Sequence, residues 1–167
     1  MATTKQIILT HEEINHKIKR IAYQIYETNV YEKEVVLAGI DSNGYILAKK
    51  LKTVLSKISP ITPVLCKVSI NKKDPRTGIK TSLDIEDYKN KSIVLIDDVL
   101  NSGTTLIYGV KFFLDVPLKQ FKTAVLVNRN HKKYPVKADF KGISLSTSLN
   151  EHVHVNLDGK TLEAYLD

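Results

Sequence analysis

At 167 residues, with 43% hydrophobic and 26% charged side chains, the chain suits one domain with a real core and is too apolar to be disordered throughout. A single cysteine excludes an internal disulfide, and five scattered histidines beside it leave no zinc-ligand spacing. The formal charge of +7 favours a polyanionic partner or a negatively charged substrate, but with no dense basic run an ordinary basic surface accounts for it equally well.

The opening "MATTKQIILTHEE" lacks the basic start, long apolar stretch and small-residue cleavage site of a signal peptide. No apolar run approaches the ~20 residues a membrane span needs, so a cytoplasmic protein with no membrane partner is expected. "THEEINHKIKRIAYQIYET" then predicts an amphipathic helix. Thr10 is its N-cap, Glu13 completes a capping box, and Ile14, Ile18, Ile21, Ala22 and Ile25 recur at helical spacing. "EVVLAGI" (34–40) reads as a buried strand, "GYILAKKLKTVLSKI" (44–58) as a helix through Leu47, Leu51 and Leu55, and "PVLCKVSI" (63–70) as the next strand, with Cys66 a small buried side chain.

The pattern fails over "NKKDPRTGIKTSLDIEDYKN" (71–90), which is polar and carries a proline and a glycine. A connector that long is usually functional or mobile. Beyond it come strand 92–97, helix 103–116, strand 122–128 and two short strand candidates, 138–145 and 151–157. The alternation predicts an α/β fold: a mostly parallel central sheet flanked by helices, in a single domain spanning 1–167.

"SIVLIDDVLNSGTTL" (92–106) carries the chemistry. Ligands of an open α/β sheet bind beyond the carboxyl ends of its strands, where Asp97 and Asp98 are expected. Two carboxylates there can accept hydrogen bonds from the vicinal hydroxyls of a ribose or hold a divalent cation. Ser102, Thr104 and Thr105 add hydroxyls, Gly103 permits close backbone approach, and the helix start offers free N–H groups and the positive end of its dipole to a phosphate. The plainer reading makes these residues a strand-to-helix turn with ordinary caps, but the whole string is more specific than that. Similarly, Asp41 and Ser42 read equally well as caps of the helix that follows them. His152 and His154 alternate with Val153 and Val155 and read as the exposed side of a strand.

"VLIDDVLNSGTT" resembles the phosphoribosyl pyrophosphate signature of type I phosphoribosyltransferases. The chain from 124 to 158 resembles the branch of bacterial pyrimidine-operon attenuators that are also uracil phosphoribosyltransferases. The resemblance implies a Rossmann-like sheet with a small hood built from the N- and C-terminal segments, and a flexible lid near 71–90. Asp97 and Asp98 would hold the ribose hydroxyls, Asn101 to Thr105 the 5-phosphate, and Asp41, Ser42, Asn43 and Gly44 the pyrophosphate. Asp97, Asp98 and Asn101 would form the catalytic set; Asn128, Arg129 and Val153 would meet the base. Mg²⁺ is the implied cofactor, near Asp97, Asp98 and Asp158. A homo-oligomer, dimer or tetramer, is implied as well. Lys72, Lys73, Arg76 or Lys80 would reach the pyrophosphate as the lid closes.

Three departures shape the expectation. Asp41 or Asn43 stands where relatives carry a basic residue, Asn101 where 6-oxopurine enzymes carry an aspartate, and Asn128 where those enzymes carry a lysine. Asn101 points away from hypoxanthine and guanine, towards a uracil-like base, whereas Asn128 can pair with the donor-acceptor edge of a pyrimidine or a purine and keeps a recognition role without the charge. Three functions follow: transfer of the 5-phosphoribosyl group from phosphoribosyl pyrophosphate to a nucleobase, an RNA-binding regulator sensing nucleotides, or a sugar-phosphate binder without catalysis.

Overall fold

The computed structural model describes residues 4–146, 148 and 150–167; the first three residues, on which the reading of the chain's start partly rests, lie outside these. The first half runs β1 (Gln6–Leu9), α1 (His11–Thr28), β2 (Glu34–Ile40), α2 (Asn43–Ile58), β3 (Thr62–Ile70), β4 (Ile79–Thr81) and α3 (Ile85–Tyr88). The second half runs β5 (Ser92–Leu100), α4 (Thr104–Phe113), β6 (Gln120–Asn128), β7 (Phe140–Ser144), β8 (Val153–Asn156) and β9 (Glu163–Leu166).

A six-stranded sheet in the order β4-β3-β2-β5-β6-β7 forms the body; every neighbouring pair is parallel except β3 with β4. The central strands β2, β5 and β6 are buried on both faces, as parallel strands covered by helices are. Val35, Leu37, Val94 and Ile96 face α1 and α2, while Val36, Ala38, Ile93 and Leu95 face the side that Phe113 of α4 covers. The expected capping box opens α1: Thr10 Oγ1 accepts from the Glu13 N–H at 3.3 Å, and Glu13 Oε1 accepts from the Thr10 N–H at 3.2 Å. All five apolar positions named for that helix are buried. A separate antiparallel sheet, β1-β9-β8, joins the two ends of the chain with Gln6 opposite Leu166.

Two expectations change. Segment 71–90 is not irregular: it holds a 3₁₀ turn (Pro75–Thr77), β4 and α3, and β4 extends the sheet edge by pairing with β3. Elements of three or four residues are too short to show a period, yet Pro75 and Tyr88 are buried, Tyr88 edge-on to Phe113 at 5.1 Å. Strand β5 also runs on to Leu100, so Asp97 and Asp98 lie within it instead of ending it.

The strand order decides where a ligand goes. From β2 the chain winds outward to β3, and from β5 it winds the other way to β6, so the order reverses between β2 and β5. A crevice forms at such a reversal. Pairing of β2 with β5 stops at Gly39 opposite Ile96, whereas β5 stays paired with β6 as far as Leu100 opposite Asn128. Asp97 is therefore the first β5 residue beyond the shared ladder.

Candidate functional site

The two acids are neighbours on β5 and meet different partners. Asp97 is 4% exposed, and its Oδ1 accepts from the Asp98 N–H at 2.9 Å. Lys72 Nζ, arriving from the 71–90 segment, stands 3.5 Å from the same oxygen. Burial pushes the Asp97 carboxyl up to about 8, the neighbouring Asp98 adds to the rise, and Lys72 opposes it. Asp98 accepts from the Val99 N–H at 2.9 Å through Oδ1 and from Asn43 Nδ2, at the start of α2, at 3.0 Å through Oδ2.

Both acids open into one cavity of about 500 Å³, shared with the turn from Asn101 to Thr105, with Lys72 and Lys73, and with Val153 of β8. In the turn, Ser102 Oγ and Thr104 Oγ1 are 2.8 Å apart, and the Thr104 N–H donates to Ser102 Oγ at 3.3 Å. Gly103 has φ +86°, and a Cβ there would stand 2.6 Å from Val136 Cγ1, so both conformation and space demand glycine. Two further bonds, from the Lys133 and Tyr134 N–H groups to the Ser102 carbonyl at 2.7 and 3.3 Å, hold the bend from outside. Carboxylates suited to hydroxyls and a helix start suited to a phosphate thus share one wall.

The 41–44 turn closes on the same strand. Gly44 packs so tightly that a Cβ would meet Ile96 O at 2.6 Å and Asp97 Oδ1 at 3.2 Å. The Asp41–Ser42 peptide is cis, and Ser42 makes no side-chain cap bond. Asp41 does not line the cavity of the acid pair; it stands 3.8 Å from Lys67 Nζ and lines a second cavity with Asn71 and Lys80. Ser42 thus holds the N-cap position of α2 without the side-chain bond that a capping role would supply.

Arg129, named as a base contact, is occupied elsewhere. Buried to 7% exposure, it donates to Asn101 Oδ1 at 3.0 Å, Ser148 O at 3.2 Å and Glu151 O at 2.6 Å. It ties the phosphate-type turn to the segment that leads into β8, and a guanidinium so engaged has little left for a ligand. Asn128 is buried too, its Nδ2 only 3.5 and 3.4 Å from Asn130 and Ser144, and its Oδ1 lacks a partner. A buried oxygen left unpaired costs about 1–3 kcal/mol, so a ligand donor is favoured there. Asp158 is exposed, and among the described residues no three acids or imidazoles converge on a metal position. Of the four lid cations, Lys72 and Lys73 reach the cavity; Arg76 forks onto Asp74 instead, at 2.9 and 3.3 Å.

Sequence reasoning did not foresee the Asn43 amide on Asp98 or the Arg129 tie to Asn101, because both depend on residues 28 or more apart meeting: the first pair across the crevice, the second just beyond the paired ends of β5 and β6.

Comparison with known proteins agrees with this geometry. Residues 5–160 match the family described as "Phosphoribosyl transferase domain". The "Bifunctional protein PyrR" of Macrococcus caseolyticus is 33% identical over 161 residues, covering 92% of each chain. That of Fusobacterium nucleatum is 34% identical over 172 residues, 96% of this chain and 97% of its own. Among solved structures, the hypoxanthine phosphoribosyltransferase of Trypanosoma cruzi superposes with a TM-score of 0.74 at 18% identity, over 89% of this chain and 84% of that one.

Proposed function

The chain belongs to the phosphoribosyl transferase domain family, and on that footing we propose that it moves the 5-phosphoribosyl group from phosphoribosyl pyrophosphate to a uracil-like base. The observation that carries this reading is the shared cavity at the β2/β5 reversal, with the acid pair and the 101–105 turn on one wall. In the proposed arrangement Asp97 and Asp98 accept the ribose hydroxyls, while Ser102 to Thr105 and the start of α4 hold the 5-phosphate. A base nitrogen then attacks C1 as pyrophosphate departs, and the positive charge growing on the sugar ring is held beside the acid pair. Asn128, with its unpaired oxygen, is the residue best suited to read a base N–H, and Val153 forms the apolar wall. Arg129 is assigned to holding Asn101 in place, and Gly44 to letting the 41–44 turn approach the sugar site.

Magnesium fits this donor set in part. Two adjoining carboxylates, one nearly buried and met by a single lysine, suit a divalent cation, but with no third protein ligand among the described residues the substrate's oxygens must complete its shell. When bound, it supplies charge neutralisation at the pyrophosphate. Segment 71–90 serves as a lid that excludes water, with Lys72 and Lys73 the cations nearest the cavity. The β1-β9-β8 sheet serves as the hood of the same single domain. A cytoplasmic location and self-association as dimer or tetramer complete the reading; no helix among the described residues is long and apolar enough to cross a membrane.

Pyrophosphate release with phosphoribosyl pyrophosphate, Mg²⁺ and a panel of bases tests the proposal, with uracil expected to be the best acceptor. Asp98→Asn is expected to lower turnover by at least roughly a hundredfold, since the lost charge acts on the transition state. Equal turnover would refute the role of Asp98. Calorimetric binding without turnover on any base would favour the non-catalytic binder.

A second reading, regulation through RNA, is favoured by one feature away from the crevice. A groove of about 610 Å³ between α1 and α2 is rimmed by Lys19, Lys50 and Lys57, with Tyr23 beside them. A gel shift with pyrimidine-operon leader RNA tests it.

A further inference from the structure

The hood sheet shares no strand with the main sheet, so whatever fixes β8 over the crevice does so through side chains and packing. On the acid side one polar group does this. Asn43 Nδ2 donates to Asp98 Oδ2 at 3.0 Å and to the Val155 carbonyl at 2.9 Å. One –NH₂ group has two N–H bonds, and here one goes to each sheet. Val155 is two residues from Val153, which lines the cavity with both acids. The distance from the sugar-side acid to the opposite wall is therefore set through Asn43.

This amide does not cap α2, because Ser42 holds the cap position and neither Asn43 bond goes to the backbone of that helix. Nor does it satisfy a buried core, because Asn43 is half-exposed and its partners belong to different sheets.

We propose that Asn43 is a positioning residue that clips the hood strand to Asp98, so that the sugar-binding acid and the wall facing the base keep one separation. This rests on the transferase reading. A displacement between two separately bound molecules needs its reacting atoms held about 3–3.5 Å apart, so a loose wall should cost turnover more than affinity. Alanine has no donor and aspartate has the right shape but none to give, whereas glutamine keeps both donors on a longer arm.

The test pairs steady-state kinetics with hydrogen exchange of the Val153–Asn156 amides. Asn43→Ala is expected to lower kcat roughly tenfold or more, while KM for phosphoribosyl pyrophosphate moves about threefold at most. The β8 amides should exchange roughly tenfold faster, with those of α1 and the β5 core unchanged. Asn43→Asp should match or exceed both effects and carries the test if the alanine variant does not fold; Asn43→Gln should recover part of each. Unchanged β8 exchange in the alanine and aspartate variants overturns the clip, and a loss confined to KM would make Asn43 a direct substrate contact instead. If the unaltered chain turns over no base, the transferase reading fails, and the exchange measurement alone still decides whether the clip exists.

Discussion

At the scale of single residues, the free energy of the site is most visible at Asp97. A carboxyl raised from 3.8 to about 8 holds its proton in the folded chain across a range where the unfolded chain has lost it. Between about pH 4 and 8 the folded state binds more protons, so the contribution of Asp97 to stability falls as pH rises through that window and is flat on either side. Asp97→Asn keeps an oxygen for the Asp98 N–H and removes the charge. It is expected to stabilise the protein at pH 8 by on the order of 2 kcal/mol and to leave stability at pH 4 nearly unchanged, with transfer activity lost. Chemical denaturation at both pH values checks this; an equal effect at both would mean that ionisation of Asp97 is not the source of the strain. The acid pair was legible because two carboxylates after an apolar run have no packing purpose. Its surroundings were not. Nothing local to Asn43, Lys72 or Arg129 shows that each will meet a residue 25 to 55 positions away.

At the scale of elements, legibility followed length. The capping box and five-residue stripe of α1 fixed that helix, and the β-branched runs at 34–40 and 92–97 fixed two central strands, because long elements repeat their period enough to be read. Strands β1, β4 and β9, of three or four residues each, carry no readable period, and β1 finds its partner at the far end of the chain. The same limit hid the last residues of β5, since a strand interrupted by two acids looks finished. The turn before α4 is the element whose geometry is most exacting. Gly103→Ala must hold an L side chain at φ +86° and move Val136 as well, at about 1–2 kcal/mol for the backbone alone. The turn should open and release the start of α4 from the phosphate position. The expected result is a rise of at least roughly tenfold in KM for phosphoribosyl pyrophosphate, with melting temperature lowered by a few degrees. Unchanged KM would show that the 101–105 bend does not hold the phosphate.

At the scale of the whole molecule, positive charge gathers at two separate places, each with its own proposed use. Lys72 and Lys73 line the cavity, whereas Lys19, Lys50 and Lys57 line the groove between α1 and α2, which shares no residue with that cavity. Neither helix alone reads as a basic binding helix with interleaved aromatics; the groove exists only because the two pack side by side and bring Lys19 and Tyr23 opposite Lys50 and Lys57. If the groove follows an RNA backbone, each lysine that meets a phosphate releases a counterion, and binding weakens with salt by about 0.7 in the logarithmic slope per contact. Replacing all three lysines by glutamine should therefore flatten the slope by about 2 and weaken leader binding at low salt. Pyrophosphate release should stay within about twofold, because a groove remote from the reacting atoms contributes nothing to transition-state binding. A titration of leader RNA at several salt concentrations, run beside the transfer assay on the same preparations, separates the two uses. An unaltered slope in the triple variant would move the RNA surface elsewhere, and an equal loss of transfer would mean that the groove and the crevice are not independent.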